Sequence, residues 1–213
     1  MTFAELAVSH APTLDRLAIA IAAEFRGVDE IQVLTRLDEL AAELVPGRSP
    51  LEQGDALADL LGRRHGFAGA SASYSDPDTS MIDVVLERGI GLPILLSAVY
   101  EEVARRRGIA VHGVGLSGHF VVGHFGADPP LLYDPWEGGA RFEPDEESLA
   151  PIRPWRPQET ALRMLNNLVE QLSRHGDVAG AIHAAELRLL LPTELQAYTD
   201  LEAELRSLRA RLN

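Results

Sequence analysis

The segment from Leu92 to Asp134 limits the possible folds of this chain more than any other. Leu92 to Arg107 has helical spacing and is apolar nearly all round in its first half, so that half should be buried. Pro93 lies near the first helical position, where its missing N–H leaves no hydrogen bond unmade. Three short strand candidates with glycine- or proline-containing connections follow directly, at residues 110–115, 119–125 and 131–134. The segment therefore combines a buried helix with short strands.

Helical segments flank this central region on both sides. Before it, helices are predicted at residues 13–26, 29–45 and 50–64, with apolar faces that include Ile31 and Leu51. After it, helices are predicted at residues 159–175, 177–191 and 194–212, and the first two resemble one tetratricopeptide-type hairpin. We therefore divide the chain into a helical N-terminal subdomain (residues 1–68), a core (69–150) and a helical tail (158–213).

The residue types present exclude several classes of function. All 19 basic residues are arginines, which excludes Schiff-base chemistry and phosphate binding by a P-loop lysine. Cysteine is absent, which excludes disulfides, thiolate metal sites and thiol nucleophiles. A net charge of −13 argues against a nucleic-acid partner. Because neither a signal peptide nor an apolar run of membrane-spanning length is found, we expect a cytoplasmic protein with no membrane partner.

Two histidines and one aspartate in the strand region are the candidate chemical groups. If His119 lies in a strand, alternation places His124 on the other face, so the two are poor ligands for one metal, and we expect no metal and no cofactor. Asp134 could accept a hydrogen bond from the His119 ring, fix its tautomer and raise its basicity, as in a catalytic triad. A structural interpretation is also open, in which His119 binds backbone and Asp134 forms an Asp-Pro turn.

A long, ordered pattern runs through the centre of the chain. It consists of SDPDTSMIDVVLERGIGLPILLSAVYEEVARRRGI, then GVGLSGHFVV, then YDPWEGG. By these motifs the chain resembles the bacterial SirB-type proteins, which join a transglutaminase-like core to a C-terminal tetratricopeptide-like segment. The resemblance implies an α+β fold of the papain and transglutaminase type. In that fold a buried helix packs on a small antiparallel sheet, here with a helical N-terminal subdomain and a C-terminal helical hairpin.

The resemblance also implies a role for each site residue. In active members a cysteine begins the buried helix, a histidine follows on a strand and an aspartate follows on the next strand. His119 then corresponds to the base, Asp134 to the residue that orients it, and Pro93 to the vestigial position of the nucleophile. Proline cannot attack a substrate, and the chain has no cysteine to replace it. The resemblance therefore implies a pseudoenzyme of this cysteine-protease-like fold.

A binding protein is the first functional alternative. A cleft with the His119–Asp134 pair could bind a protein, a peptide or a small ligand without reacting with it, and the helical tail could bind a partner as well. Gly118 would shape the turn beside the cleft, and Tyr133 and Trp136 would provide aromatic walls. The commoner role of such aromatic residues is core packing.

A hydrolase or acyl-transferase is the second alternative. Its nucleophile would be Ser97, one turn into the helix, or an activated water, acting with His119 and Asp134. Against this, the Ser97 hydroxyl is expected to bind the carbonyl of Pro93 within the helix.

The charged end of the same helix is predicted to face solvent. Glu101 and Glu102 lie beside the arginines at 105–107, a spacing typical of ion pairs within one exposed helix face.

Overall fold

The computed structural model describes residues 1–70, 76–144 and 152–211. Nine α-helices and one antiparallel sheet form this described part, which confirms the predicted α+β fold. The helices are α1 (Phe3–Ala7), α2 (Leu14–Phe25), α3 (Glu30–Glu43), α4 (Pro50–Ala58), α5 (Ile82–Arg88), α6 (Pro93–Arg106), α7 (Pro157–Arg174), α8 (Val178–Arg188) and α9 (Leu195–Ala210). The strands are β1 (Val111–Leu116), β2 (His119–His124), β3 (Leu131–Asp134) and β4 (Ala140–Phe142). The predicted core end at residue 150 and the last two residues of the predicted tail lie outside the described residues.

The sheet is a meander in which each strand is antiparallel to the next, in the order β1-β2-β3-β4. Leu116 pairs with His119 across the first hairpin, and Val122 pairs with Tyr133. Gly118 has a φ of +71° in the turn between β1 and β2, a backbone conformation that favours glycine. This turn places His119 at the first position of β2. Strand β4 was not predicted, because three residues are too few to show an alternating pattern.

Helix α6 lies against one face of the sheet, in contact with β1 and β2. Its residues from Ile94 to Ala104 are buried, which confirms the predicted burial of its first half. Phe120 and Val122 belong to the main hydrophobic core on the α6 side, whereas Val121 belongs to a smaller cluster on the opposite face. The alternation predicted for β2 is therefore correct.

The predicted apolar faces of the N-terminal helices are wrong at two positions. Leu37 and Leu40 are fully buried as expected, but Ile31 is 77% exposed and Leu51 is 41% exposed. Both exposed residues lie in the first turn of their helix. Helical spacing identifies the apolar stripe but does not show how far along the helix the neighbouring element extends.

One hydrophobic core draws side chains from all three segments predicted from the sequence. It includes Leu17 and Leu37 from the first segment, Tyr100 from the second, and Leu165 and Leu205 from the third. Helix α7 packs against both α2 and α6. The three predicted segments therefore share one core. Their division into separate units stays a prediction.

The predicted solvated face of α6 is wrong, because Glu102 is 2% exposed and Glu101 is 6% exposed. Arg106 donates hydrogen bonds to Glu102 and to Asp15 of α2, both at 2.6 Å, and to Asp38 of α3 at 2.7 Å. Burial raises the pKa of Glu102. Hydrogen bonds from Thr13 and Arg106 outweigh burial and hold the pKa of Asp15 below its usual value. This charged cluster joins three helices inside the fold.

Glu159 anchors the segment that leads into α7, and it makes the stability of the fold depend on pH. Arg153 donates to both carboxylate oxygens of Glu159, at 2.8 and 3.0 Å, and the backbone N–H of Arg156 donates to one of them at 2.7 Å. The Arg153 hydrogen bonds, aided by the Arg156 N–H, lower the pKa of Glu159 from 4.5 to about 2. The stabilisation is therefore fully present above pH 4.5 and is lost as the pH falls towards 2.

We expect Glu159→Gln to lower the free energy of unfolding at pH 7 by about 1–3 kcal/mol, allowing for partial solvent screening. Urea unfolding at several pH values should show that the difference in free energy of unfolding between the variant and wild type shrinks below pH 4.5 and disappears near pH 2. Glu170→Gln, which removes an exposed pair with Arg174 on α7, is the matched control and should change stability by less than about 0.5 kcal/mol. A Glu159→Gln effect equal at pH 7 and pH 3 would contradict this assignment.

Candidate functional site

His119 and Asp134 form a hydrogen-bonded pair where β2 begins and β3 ends. The distance from His119 Nε2 to Asp134 Oδ2 is 2.7 Å. The other carboxylate oxygen, Oδ1, accepts the backbone N–H of Trp136 at 2.9 Å. The Asp134 side chain is 8% exposed and that of His119 is 27% exposed. Asp134 is therefore held rigidly by two donors, while the imidazole that it orients stays accessible.

The orientation of the His119 ring determines which nitrogen is available for chemistry. Because Nε2 faces the carboxylate, Nε2 carries the proton in the neutral ring and Nδ1 carries the lone pair. Within residues 1–70, 76–144 and 152–211, no hydrogen bond is made to Nδ1. The ring packs against Phe142 of β4, with 5.7 Å between ring centroids. The pair thus has the arrangement of a general base and the residue that orients it.

A tight loop after β3 fixes the backbone of Asp134. Its carbonyl accepts the N–H groups of Gly139 at 2.8 Å and Glu137 at 3.2 Å. The hydroxyl of Tyr100, a fully buried residue of α6, lies beside Gly139 and has no hydrogen-bond partner in the described part of the chain. Burial and the nearby negative charge of Asp134 raise the pKa of Tyr100. The YDPWEGG motif is therefore the loop that holds the orienting carboxylate.

The two predicted aromatic walls lie in different places. The Trp136 ring is partly buried against Gly69, next to the Asp134 loop. Tyr133 is not a wall of the cleft: it is 3% exposed, and its hydroxyl donates to Asp55 of α4 at 3.0 Å. Burial raises the pKa of Tyr133 to about 12. Tyr133 and Asp134 are consecutive strand residues, so their side chains point to opposite faces.

Pro93 and Ser97, the two nucleophile positions considered from the sequence, both lie on α6. Pro93 is the first residue of α6, as the helix pattern predicts. Ser97 is fully buried, and its Oγ has no hydrogen-bond partner among the described residues. The expected bond to the Pro93 carbonyl is therefore wrong, and the structure does not bring Ser97 into hydrogen-bond contact with His119.

The other histidines near the sheet have partners of their own. His124 Nδ1 accepts the Gly126 N–H at 3.1 Å, so Nε2 donates to Gln53 Oε1 at 2.9 Å. Burial lowers the pKa of His124, which keeps this ring neutral. His112 lies 3.2 Å from Glu101, and this hydrogen bond raises the pKa of His112. In the part of the chain that the structure describes, no group of three acidic or histidine side chains could hold a metal ion.

Three residues near His119 were missed by sequence reasoning. Phe142 packs on the ring of His119 from a strand too short to be predicted. Arg163 of α7 donates to the carbonyl of His119, and Trp155 packs beside Arg163. The sequence gives no signal for Arg163 and Trp155, because both lie well after the strands in the chain and contact the β1–β2 hairpin only through tertiary packing.

Comparisons of the sequence with known proteins show which family and which relatives it is similar to. The sequence profile of the transglutaminase-like superfamily matches residues 31–169. A UPF0162 protein of Xylella fastidiosa strain 9a5c is 33% identical over 163 residues, covering 68% of this chain and 58% of that protein. A UPF0162 protein of strain Temecula1 is 36% identical over 130 residues, or 53% of this chain and 46% of that protein. A UPF0162 protein of Pseudomonas aeruginosa is 28% identical over 192 residues, or 82% and 70%.

The chain spans about half the length of the first two curated relatives that it matches. No solved structure gives a significant match. None of the described helices is long and apolar enough to cross a bilayer.

Proposed function

The chain belongs to the transglutaminase-like superfamily, and from this premise we propose that it is a non-catalytic, SirB-type member that binds a protein or peptide partner. One observation carries the proposal: an oriented, accessible imidazole is present, but no nucleophile of the described residues lies within hydrogen-bond reach of it. The chain has no cysteine, and α6 begins with Pro93 instead. In this role His119 Nδ1 binds a donor group of the partner instead of taking a proton from a nucleophile.

The hydrolase or acyl-transferase alternative has less support. A serine nucleophile needs a base in contact and access to substrate, whereas Ser97 has neither. Incubation with a fluorophosphonate probe should therefore leave the protein unlabelled. Labelling that disappears in a Ser97→Ala variant would contradict the binding role.

The C-terminal helices provide a second surface that supports binding. An open groove of about 650 Å³ lies between α7, α8 and α9. Its lining includes Asn166, Leu201 and the buried Arg188, which donates to Asn166 at 3.0 Å. A groove between helices is one of the recurring places where a peptide partner binds. We propose that these helices form the tetratricopeptide-like segment and that they contribute to partner binding.

A capture experiment tests which surface binds. Tagged wild type, His119→Ala and Leu201→Arg should be compared for bound proteins, with His10→Ala as a control for an exposed histidine outside the site. We expect His119→Ala to weaken retention of a specific partner by about tenfold or more, the effect of losing one good contact at a binding hot spot. His10→Ala should bind like wild type. Equal retention by His119→Ala and wild type would exclude the cleft, and a loss only in Leu201→Arg would assign binding to the helices.

A further inference from the structure

We propose that Arg163, on helix α7, is the positioning residue for His119. Its guanidinium holds the β1–β2 hairpin on which His119 lies, so that the C-terminal helices determine where the imidazole stands in the cleft. The proposal rests on the proposed function only in treating His119 as the functional group of the cleft.

Two hydrogen bonds connect Arg163 to the end of the hairpin. Nη1 donates to the carbonyl of Leu116 at 3.2 Å, and Nη2 donates to the carbonyl of His119 at 3.0 Å. Leu116 and His119 are paired residues on either side of the turn, and Ser117 and Gly118 between them are exposed. One planar group therefore bridges both strands at the point where the hairpin would otherwise fray first.

Two aromatic rings lie beside the guanidinium. Its central carbon lies 5.4 Å from the Phe120 ring centroid and 5.8 Å from that of Trp155. These two rings meet edge to face at 5.3 Å. Phe120 follows His119 directly in β2, so the same cation contacts the histidine's carbonyl and its neighbour's ring. Contact of a cation with aromatic rings favours arginine in particular.

Trp155 is itself anchored on the outer edge of β1. Its backbone N–H donates to the carbonyl of Gly113 at 2.9 Å. Its ring lies so close to Gly115 that a β-carbon there would come within 2.0 Å of the ring. Only glycine at this position lets the tryptophan reach Arg163. The segment before α7 and the first turns of α7 therefore form one brace against the hairpin.

Helix α7 also contacts the segment that leads to the N-terminus of α6. Gln171 Oε1 accepts the buried Ser80 hydroxyl at 2.6 Å, and Gln171 Nε2 donates to the carbonyl of Asp76 at 3.4 Å. The neighbouring Thr79 carbonyl accepts the N–H of Leu92, the residue before α6. The same helix thus holds both the strand end that carries His119 and the approach to Pro93.

Nuclear magnetic resonance of the free protein, with labelled histidine rings, tests this role. The His119 ring signals sense the ring current of Phe142, and the Nε2 proton senses the hydrogen bond to Asp134. We expect Arg163→Gln to shift the His119 ring signals and to speed exchange of the Nε2 proton by roughly tenfold or more, the effect expected when charge-assisted hydrogen bonds are lost. Arg163→Lys should give a smaller displacement, since an ammonium group keeps the positive charge but lacks the forked donors that reach both carbonyls.

The controls separate positioning from general damage. Arg174→Gln removes an exposed arginine from the same helix and should leave His119 unchanged. The signals of His124, bound to Gln53, should stay at wild-type positions in every variant and so report an intact sheet. A folded Arg163→Gln variant with wild-type His119 signals and exchange would overturn the proposal. Should that variant fail to fold, the same outcome in Arg163→Lys would overturn it. Because no partner is present, failure of partner binding in the capture experiment leaves this result unaffected.

Discussion

Replacing Arg106 with methionine should lower the free energy of unfolding by about 3–5 kcal/mol. The substitution keeps much of the aliphatic volume but removes the cation that binds Glu102 and Asp15, which are 2% and 4% exposed. Each carboxylate would then stay buried with fewer partners. Removing one partner of a buried ion pair typically lowers the free energy of unfolding by an amount of this size. Arg105, which also donates to Glu102 at 2.8 Å, should keep the loss near the lower end of the range.

Urea unfolding of Arg106→Met and Arg107→Met measures this effect. Arg107 is the next residue along the chain and is exposed, so its replacement should change stability by less than about 0.5 kcal/mol. A loss below about 1 kcal/mol in Arg106→Met would mean that the buried cluster contributes no more than a surface pair. A double-mutant cycle with Asp15→Asn should show a coupling of about 1–3 kcal/mol, since the two side chains are in direct contact.

Replacing Pro93 with cysteine should create a thiol that is alkylated far faster than an ordinary one. The substituted residue would begin α6, where the N–H groups and the helix dipole stabilise a thiolate. In the proposed correspondence with active family members, His119 is the base that serves this position, and a base beside the thiol would favour the thiolate further. Because the chain has no cysteine of its own, iodoacetamide would report on this thiol alone.

Pro157→Cys is the matched control for that reaction. Pro157 also begins a long helix, α7, and is partly buried like Pro93, but it lies outside the His119 site. At pH 6 we expect the Pro93→Cys thiol to react roughly ten times faster or more than the Pro157→Cys thiol, since only the thiolate attacks. Equal rates would mean that a helix start alone accounts for the reactivity.

The parts of the site that the sequence predicts are those that depend on local patterns. The start of α6 at Pro93 follows from helical spacing and the preference of proline for first positions. Alternation places His119 and His124 on opposite faces, and the structure shows them bound to Asp134 and Gln53, respectively. The same alternation separates Tyr133 from Asp134, so the local pattern already argued against Tyr133 as a wall of the cleft.

The parts that the sequence does not predict depend on contacts between distant residues. Glu102 and the arginines after it have the spacing of an exposed ion-paired helix, and only Asp15, 91 positions away from Arg106, makes the cluster a buried one. Arg163 reaches the His119 carbonyl across 44 positions. Ser97 has the same spacing on α6 whether or not it contacts the base, and its distance from His119 is a property of packing alone. The spacing of residues within one helix or strand does not show which distant residues it contacts.

We propose that His119 and Asp134 are a retained base and the residue that orients it, and that Pro93 occupies the position of the lost nucleophile. The most direct test compares the alkylation rate of Pro93→Cys at pH 6 with that of Pro93→Cys combined with His119→Ala. If Pro93 lies opposite the His119 ring, removal of the ring should reduce the rate to that of the Pro157→Cys control. A rate that is the same with and without His119 would contradict the claim.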